Sequence, residues 1–315
     1  MTTTAVQPSF AVNTSYPSCR CCGAANTFHR GRKFGTFKQH TFDYYGCREC
    51  DFLFVEPFPG YDVYNDAYYR GEGPDPYVNY EVEYLDYRKT HRLIEFEDLA
   101  QVAEQFWASR SGASTVTWLD YGCGAGGFIK YLTDRRELRR SGGANSIQVA
   151  GHDLGTYAEK LKSDGYKILN AEELLALPDG TFDIISMIEV IEHIEYPARA
   201  LSDAARLLKP GGLLILTTGN MASPVANRLG LNYAYLIPEI HVSLFTSRCL
   251  DMLYQRHGLS SSLVHYKGVV RFKVLKTLRS GFLRGIAAMA LRLPFVIRLL
   301  DRLYGVSAMP CASKR

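Results

Sequence analysis

The sequence lacks the features that would take it out of the ordinary globular class. No run among its 315 residues reaches the ~18 consecutive apolar positions that a membrane-spanning helix needs. Its first residues, Met-Thr-Thr-Thr-Ala-Val, have neither a basic stretch nor an apolar core, so no secretory signal is read there and the cytosol is the expected location. Internal repeats and low-complexity tracts are missing, and collagen, coiled coil and intrinsic disorder are excluded by composition. Acidic residues almost vanish near the end. From Lys267 to Arg315 there are 11 Lys and Arg against one acid, Asp301, which is +10 within a chain whose net charge is +4. The rest therefore carries −6, and residues 61–110 are its acidic extreme, with 11 acids against 5 bases.

What is present is a normal core-forming composition, 47% hydrophobic and 22% charged, with room for about two domains of ~150 residues. Residues 1–17 read as a loose polar tail. Residues 19–55 hold two cysteine pairs around an aromatic stretch, and Pro57, Pro59 and Gly60 end that unit. A helical pattern covers Glu83–Ser109. From Thr115 short apolar strands alternate with helices. Strands are expected at Thr115–Tyr121, Ser146–Asp153, Tyr166–Leu169, Phe182–Met187 and Gly212–Thr218. Helices are expected at Phe128–Arg139, Ala158–Ser163, Pro197–Leu208 and Ser247–His257, with a late strand at Ser261–Tyr266 and an edge strand at Ala308–Ser313. This alternation implies an α/β fold around a parallel sheet. The chain divides into a tail and cysteine module (1–60), linker and lid helices (61–112) and an α/β domain (113–315) with a basic insertion at about 268–305.

The strongest local signal is Trp118-Leu-Asp-Tyr-Gly-Cys-Gly-Ala-Gly-Gly-Phe128. A strand enters a glycine loop and leaves as a helix, as a ligand approaching the backbone closely requires. Gly122, Gly124 and Gly127 also fit a dinucleotide pattern, but Asp120 at the strand end would repel a pyrophosphate and attract an ammonium. Asp153 ends the next strand, where an acid can accept both hydroxyls of a ribose. Both acids suit S-adenosylmethionine (SAM) better than a nicotinamide cofactor. Here the sequence resembles the class I SAM-dependent methyltransferases, whose Rossmann-like fold is then expected. Asp120-x-Gly122-x-Gly124-x-Gly126 resembles their first motif. Phe182–His193 and Leu207–Gly212 resemble their fourth strand and the turn before the fifth. The resemblance implies cofactor contacts at Asp120, Gly122, Cys123, Gly124, Gly126, Asp153, Leu154, Asn170, Ala171 and Met187.

Cys19-x2-Cys22 and Cys47-x2-Cys50, 24 residues apart, have the spacing of a closed structural zinc site, with Cys21 a spare thiol. With Phe52–Pro59 and Tyr68-Tyr69, this region resembles the zinc-ribbon-headed methyltransferases of bacterial polysaccharide and natural-product pathways.

Methyl transfer to a hydroxyl needs alignment and removal of a proton. Glu189, Glu192 and His193 follow the fourth strand, at the edge where open α/β sheets bind ligands, and His241 lies on the connection that caps this edge. His193 or His241 is the expected general base, with His241 the less generic of the two. Glu189, Glu192, His193 and His241 are also a candidate divalent-cation set: Glu189-x-x-Glu192-His193 is similar to the metal motif of ubiquinone-pathway and small-RNA methyltransferases, which implies a magnesium ion; the plainer reading is that these residues shape the pocket. Tyr80, Tyr84, Tyr87 and Arg88 are either a lid or the aromatic face of the linker helix.

The expected activity is SAM-dependent methylation of a small molecule or saccharide, at oxygen. An RNA methyltransferase with a zinc-ribbon head is the alternative, although acidic residues 61–110 argue against a nucleic-acid partner. A non-catalytic protein keeping the fold as a scaffold is the third reading. The basic C-terminal segment is a candidate for contact with a membrane surface or anionic ligand, or a solvated cap.

Overall fold

The structure is a computed structural model that describes residues 16–75, 79–107, 115–135, 137–140, 143–265 and 308–314. The tail before Tyr16 and the basic segment at 268–305 lie outside the described residues.

Three strands open the chain: β1 (Thr27–Gly35), β2 (His40–Cys47) and β3 (Leu53–Glu56). Helices α1 (Tyr80–Asp86) and α2 (Arg92–Trp107) follow, then β4 (Thr115–Tyr121), α3 (Gly127–Arg135), β5 (Glu137–Arg140) and β6 (Gly143–His152). Next come α4 (Tyr157–Ser163), β7 (Ile168–Leu169), α5 (Ala171–Ala176), β8 (Phe182–Ile188), α6 (Pro197–Leu207) and β9 (Leu208–Thr217). The last elements are α7 (Pro224–Leu229), β10 (Ser243–Leu244), α8 (Ser247–Arg256), β11 (Leu259–His265) and β12 (Ala308–Lys314).

The large sheet runs β11-β12-β9-β8-β4-β6; β7 continues it beside the end of β6, and β5 pairs the start of β6. Strands β7, β6, β4, β8 and β9 are mutually parallel, as expected for the Rossmann-like class. Alternation packs both faces. Ile184 and Ile188 of β8 and Leu213 and Ile215 of β9 meet α2 and α3 on one side. Ile185 and Met187 of β8 and Leu214 and Leu216 of β9 meet α6 and α8 on the other. After β4 the chain builds outward through β6 and β7, then returns to place β8 on the opposite side of β4. That reversal opens a crevice at the carboxyl ends of β4 and β8.

Three expectations need correction. The Glu83–Ser109 pattern is two helices, because Asp86 leaves helical geometry and its carboxylate accepts the Arg88 amide. The helix expected to reach Arg139 stops at Arg135, and 137–140 turns back along β6; the consecutive glycines 142 and 143 favour such a reversal. Strand β12 is not at the edge but lies between β11 and β9, antiparallel to both. Its Pro310 is beyond the three residues that pair with β9, where a missing amide is tolerated, and the serine-rich β11 takes the edge.

The small sheet runs β1-β2-β3-β10, so its fourth strand comes from the connection leaving the large sheet. Phe52 and Phe245 pack across this junction with ring centres 5.2 Å apart, and Cys19, Cys21, Cys47, Cys50, Phe52 and Phe54 share one apolar cluster with α6 and α8. The cysteine module is thereby packed against the α/β domain. No helix among the described residues is long and apolar enough to cross a membrane.

Candidate active site

A cavity of about 370 Å³ lies in the crevice, walled by the glycine loop, the segment after β6, the end of β8 and the linker. The glycine loop is shaped by its backbone. Gly122 has φ +80°, and a side-chain carbon there would meet Val190 at 2.4 Å, so the loop can press onto the turn after β8 only as glycine. The amides of Gly122 and Cys123 both donate to the His152 carbonyl, and the Gly124 amide donates to Asp153 Oδ2 at 2.8 Å. Asp153 Oδ1 accepts from the Gly155 amide at 2.7 Å and the Tyr69 hydroxyl at 3.2 Å. Three donors thus fix a carboxylate in the wall at the end of β6.

Asp120 is placed differently. It is buried behind the loop and takes a 2.8 Å hydrogen bond from Ser186, whose oxygen accepts from the Trp118 ring nitrogen. Burial pushes its carboxyl up to about 7, with the Ser186 bond and the Arg92 charge opposing.

Of the other residues read from sequence, Cys123, Leu154, Glu189 and His193 join Gly122, Gly124 and Asp153 in the wall. Gly126, Asn170, Ala171, Met187, Glu192 and His241 do not. Asn170 is occupied at the start of α5, where its side chain accepts the Glu173 amide and Glu173 accepts the Asn170 amide, both at 2.8 Å. Met187 faces the buried side of β8.

The end of β8 carries backbone strain. Glu189 has φ +53°, outside the region most side chains adopt, and its amide donates to the Thr217 carbonyl and hydroxyl. That turn sends Glu192 inward and His193 toward the cavity. Glu192 is fully buried; its two oxygens accept from Tyr235 at 2.7 Å and Thr218 at 2.8 Å, and burial raises its carboxyl. The His193 Nδ1 lies 2.9 Å from the Ile240 carbonyl and 2.9 Å from the Tyr64 hydroxyl. Only a protonated Nδ1 satisfies that carbonyl, which leaves Nε2 as an acceptor. Burial lowers the His193 pKa, opposed by the Ile240 bond. Behind it, His241 donates from Nδ1 to the Tyr235 carbonyl and stacks on the Tyr235 ring at 4.2 Å. Burial, then the His193 charge, push His241 down to about 3. Both imidazoles are neutral at pH 7.

Sequence reasoning missed much of the opposite wall. Tyr61, Tyr64, Tyr68 and Tyr69 line the cavity with Tyr80, and the buried Glu83 and half-buried Arg92 close one end as an ion pair 3.1 Å apart. Glu83 abuts Gly127, where a side-chain carbon would meet its carboxylate at 2.4 Å. Burial opposes the Arg92 charge, but Glu83 and Glu95 outweigh it and hold the guanidinium protonated. The signal was the tyrosine density between 61 and 80. Tyr84, Tyr87 and Arg88, read as a lid or a helix face, are not in this wall: Tyr84 packs on Tyr157, and Tyr87 and Arg88 bond Asp134.

A family model described as "Methyltransferase domain" matches residues 83–263, more than half of the chain and all of β4 to α8. The chain belongs to the methyltransferase-domain family. Among curated relatives, the ubiquinone biosynthesis O-methyltransferase of Caulobacter vibrioides is 34% identical over 122 residues, 36% of this chain and 44% of that protein. The enzyme of the same name from Pseudomonas paraeruginosa is 30% identical over 150 residues, 44% of this chain and 60% of its own length. The first relatives are thus matched over only 40% to 60% of their length. A solved SAM-dependent methyltransferase from Archaeoglobus fulgidus aligns with a TM-score of 0.46 at 16% identity, covering 76% of this chain and 98% of that one. The matched methyltransferase domain begins inside α1 and leaves the cysteine module and most of the tyrosine wall outside it.

Proposed function

We propose that this methyltransferase-family chain transfers a methyl group from SAM to an oxygen of a small, largely apolar acceptor. The observation that carries the reading is the cavity, which joins the glycine loop and Asp153 to a tyrosine wall that also holds His193. The residues fit SAM. Asp153, held by three donors, would accept from the ribose hydroxyls, while Glu83 and Arg92 would complement the ammonium and carboxylate of the amino-acid head. Bound there, SAM supplies a methyl carbon activated by its sulfonium.

The chain's own residues do the rest. Tyr61, Tyr64 and Tyr68, with Ile188, Val190 and Ile194, form a wall for a flat apolar acceptor and keep water from it. His193, neutral and with Nδ1–H committed to the Ile240 carbonyl, takes the acceptor's hydroxyl proton at Nε2. His241 stands behind the wall and positions Tyr235 and the Glu192 network. Relatives named for O-methylation support oxygen as the acceptor atom.

Glu192, His193 and His241 bring one ligand atom each within 4.8 Å of one another. The set does not fit magnesium, which prefers oxygen donors: two of the three atoms are imidazole nitrogens, and Glu189, the second carboxylate of the sequence-read set, is not in this group. No step is assigned to a cation. In the cysteine module, Cys19, Cys22, Cys47 and Cys50 group within the same 4.8 Å range, which supports a structural zinc held by four thiolates.

The test is methyl-tritiated SAM incubated with the protein and a cell extract, with Asp153→Ala as control. Label in an extractable small molecule, lost in the variant, is expected. Label in RNA or protein overturns the acceptor class, and absent SAM binding by calorimetry overturns the donor.

A further inference from the structure

Two of the four cysteines outside the four-thiolate set meet beside it. Cys21 sits between the first pair, and Cys249 lies 228 positions away on α8, inside the α/β domain. Yet their sulfurs are 3.6 Å apart, and both are buried. Cys50 completes a second group: the sulfurs of Cys21, Cys50 and Cys249 all lie within 4.8 Å of one another. Cys50 is also a member of the four-thiolate group, so the two share one sulfur.

We infer that Cys21, Cys50 and Cys249 bind a second zinc ion, with Cys50 bridging it to the first. The proposal rests on the four-thiolate reading of the module and extends it into the α/β domain.

Geometry supports it. A tetrahedral zinc with bonds of ~2.3 Å sets its sulfurs about 3.8 Å apart. The Cys19–Cys50 and Cys22–Cys47 separations are 3.7 and 3.5 Å, and the Cys21–Cys249 separation of 3.6 Å belongs to the same set. The donors are soft thiolates, which select zinc over oxygen-seeking cations. Three protein ligands leave a fourth position for a water-sized ligand.

The surroundings hold Cys249 in place. It occupies the first turn of α8, where its amide donates to the Thr246 cap and the helix dipole favours an anionic ligand. The preceding residue, Arg248, reaches the module and pairs with Asp51 at 2.8 Å, one position beyond Cys50. Phe245 packs against Phe52 on the other flank, the rings tilted at 57°. A metal here ties the module to α8, a long-range cross-link added to apolar packing, one short strand pair and the Arg248–Asp51 ion pair.

Metal content of the intact protein decides the matter. Native mass spectrometry with elemental analysis should give two zinc ions per chain for the wild type and one for both Cys249→Ala and Cys21→Ala. Zinc absorption spectroscopy of the wild type alone should show a second zinc at the distance of a thiolate-bridged pair, which tests the bridge without relying on how the variants fold. One zinc in the wild type, unchanged in Cys249→Ala, overturns the second site and leaves the four-thiolate reading standing. No zinc at all overturns both.

Discussion

At the residue scale the two histidines divide one task. Both are neutral at pH 7, but only His193 reaches the cavity, with its Nε2 left to accept a proton. We expect His193→Ala to lower kcat by ~10²-fold or more, the usual loss for a general base, with SAM affinity unchanged by calorimetry. Since burial lowers its pKa below the ordinary 6.5, the acidic limb of the rate profile should fall below pH 6.5; a limb at or above 6.5 would assign the base elsewhere. His241 makes a different prediction. Folded, it protonates only near pH 3; unfolded, it does so near 6.5, so its neutral form contributes stability that is full above pH 6.5 and lost as pH falls toward 3. At ~1.4 kcal/mol per unit the loss is on the order of a few kcal/mol. Urea unfolding at pH 7 and pH 4.5 should show a shallower decline for His241→Gln than for the wild type.

At the scale of elements, the turns decide what reaches the cavity. The strained Glu189 backbone directs β8 into a short turn that buries Glu192 and presents His193. Asn170 shows the reverse case, a residue expected at the cofactor whose side chain closes the capping box of α5. Replacing it with alanine should cost about 1 kcal/mol, read as a fall in Tm, while the SAM Kd stays within twofold. A Kd raised tenfold with unchanged Tm would return Asn170 to the cofactor. The break between α1 and α2 serves the site too, because it lets Glu83 of one helix pair with Arg92 of the next at the cavity's end.

At the scale of the whole molecule, the cysteine module and the α/β domain are built through each other. β10 completes the small sheet, and the residues just before it carry His241 past Glu192, whose carbonyl accepts the Val242 amide at 2.9 Å. The linker leaving β3 then lays Tyr61, Tyr64, Tyr68 and Tyr69 across the crevice. Loosening the module should therefore disturb the acceptor wall. Chelation with a strong zinc ligand is expected to raise the acceptor KM more than the SAM Kd, because Asp153 and the glycine loop belong to the large sheet. Equal loss of both would mean that the module merely stabilises the fold.

The sequence by itself determined the large sheet and its ligand edge. Apolar strands alternating with helices leave few topologies, and a glycine loop between Asp120 and Asp153 has few physical uses. That the two cysteine pairs would meet was also legible, because a Cys-x2-Cys pair is a local signal. Tertiary structure alone decided the rest: that Asp120 backs the loop instead of lining the cavity, that His193 and not His241 reaches it, and that Glu83 meets Arg92. It also brought Cys249 beside Cys21. The reason is range. Local pattern fixes which face of an element is apolar and where it ends, whereas these contacts span a helix break, as Glu83 and Arg92 do, or join residues tens to hundreds of positions apart, which only the packed chain brings together.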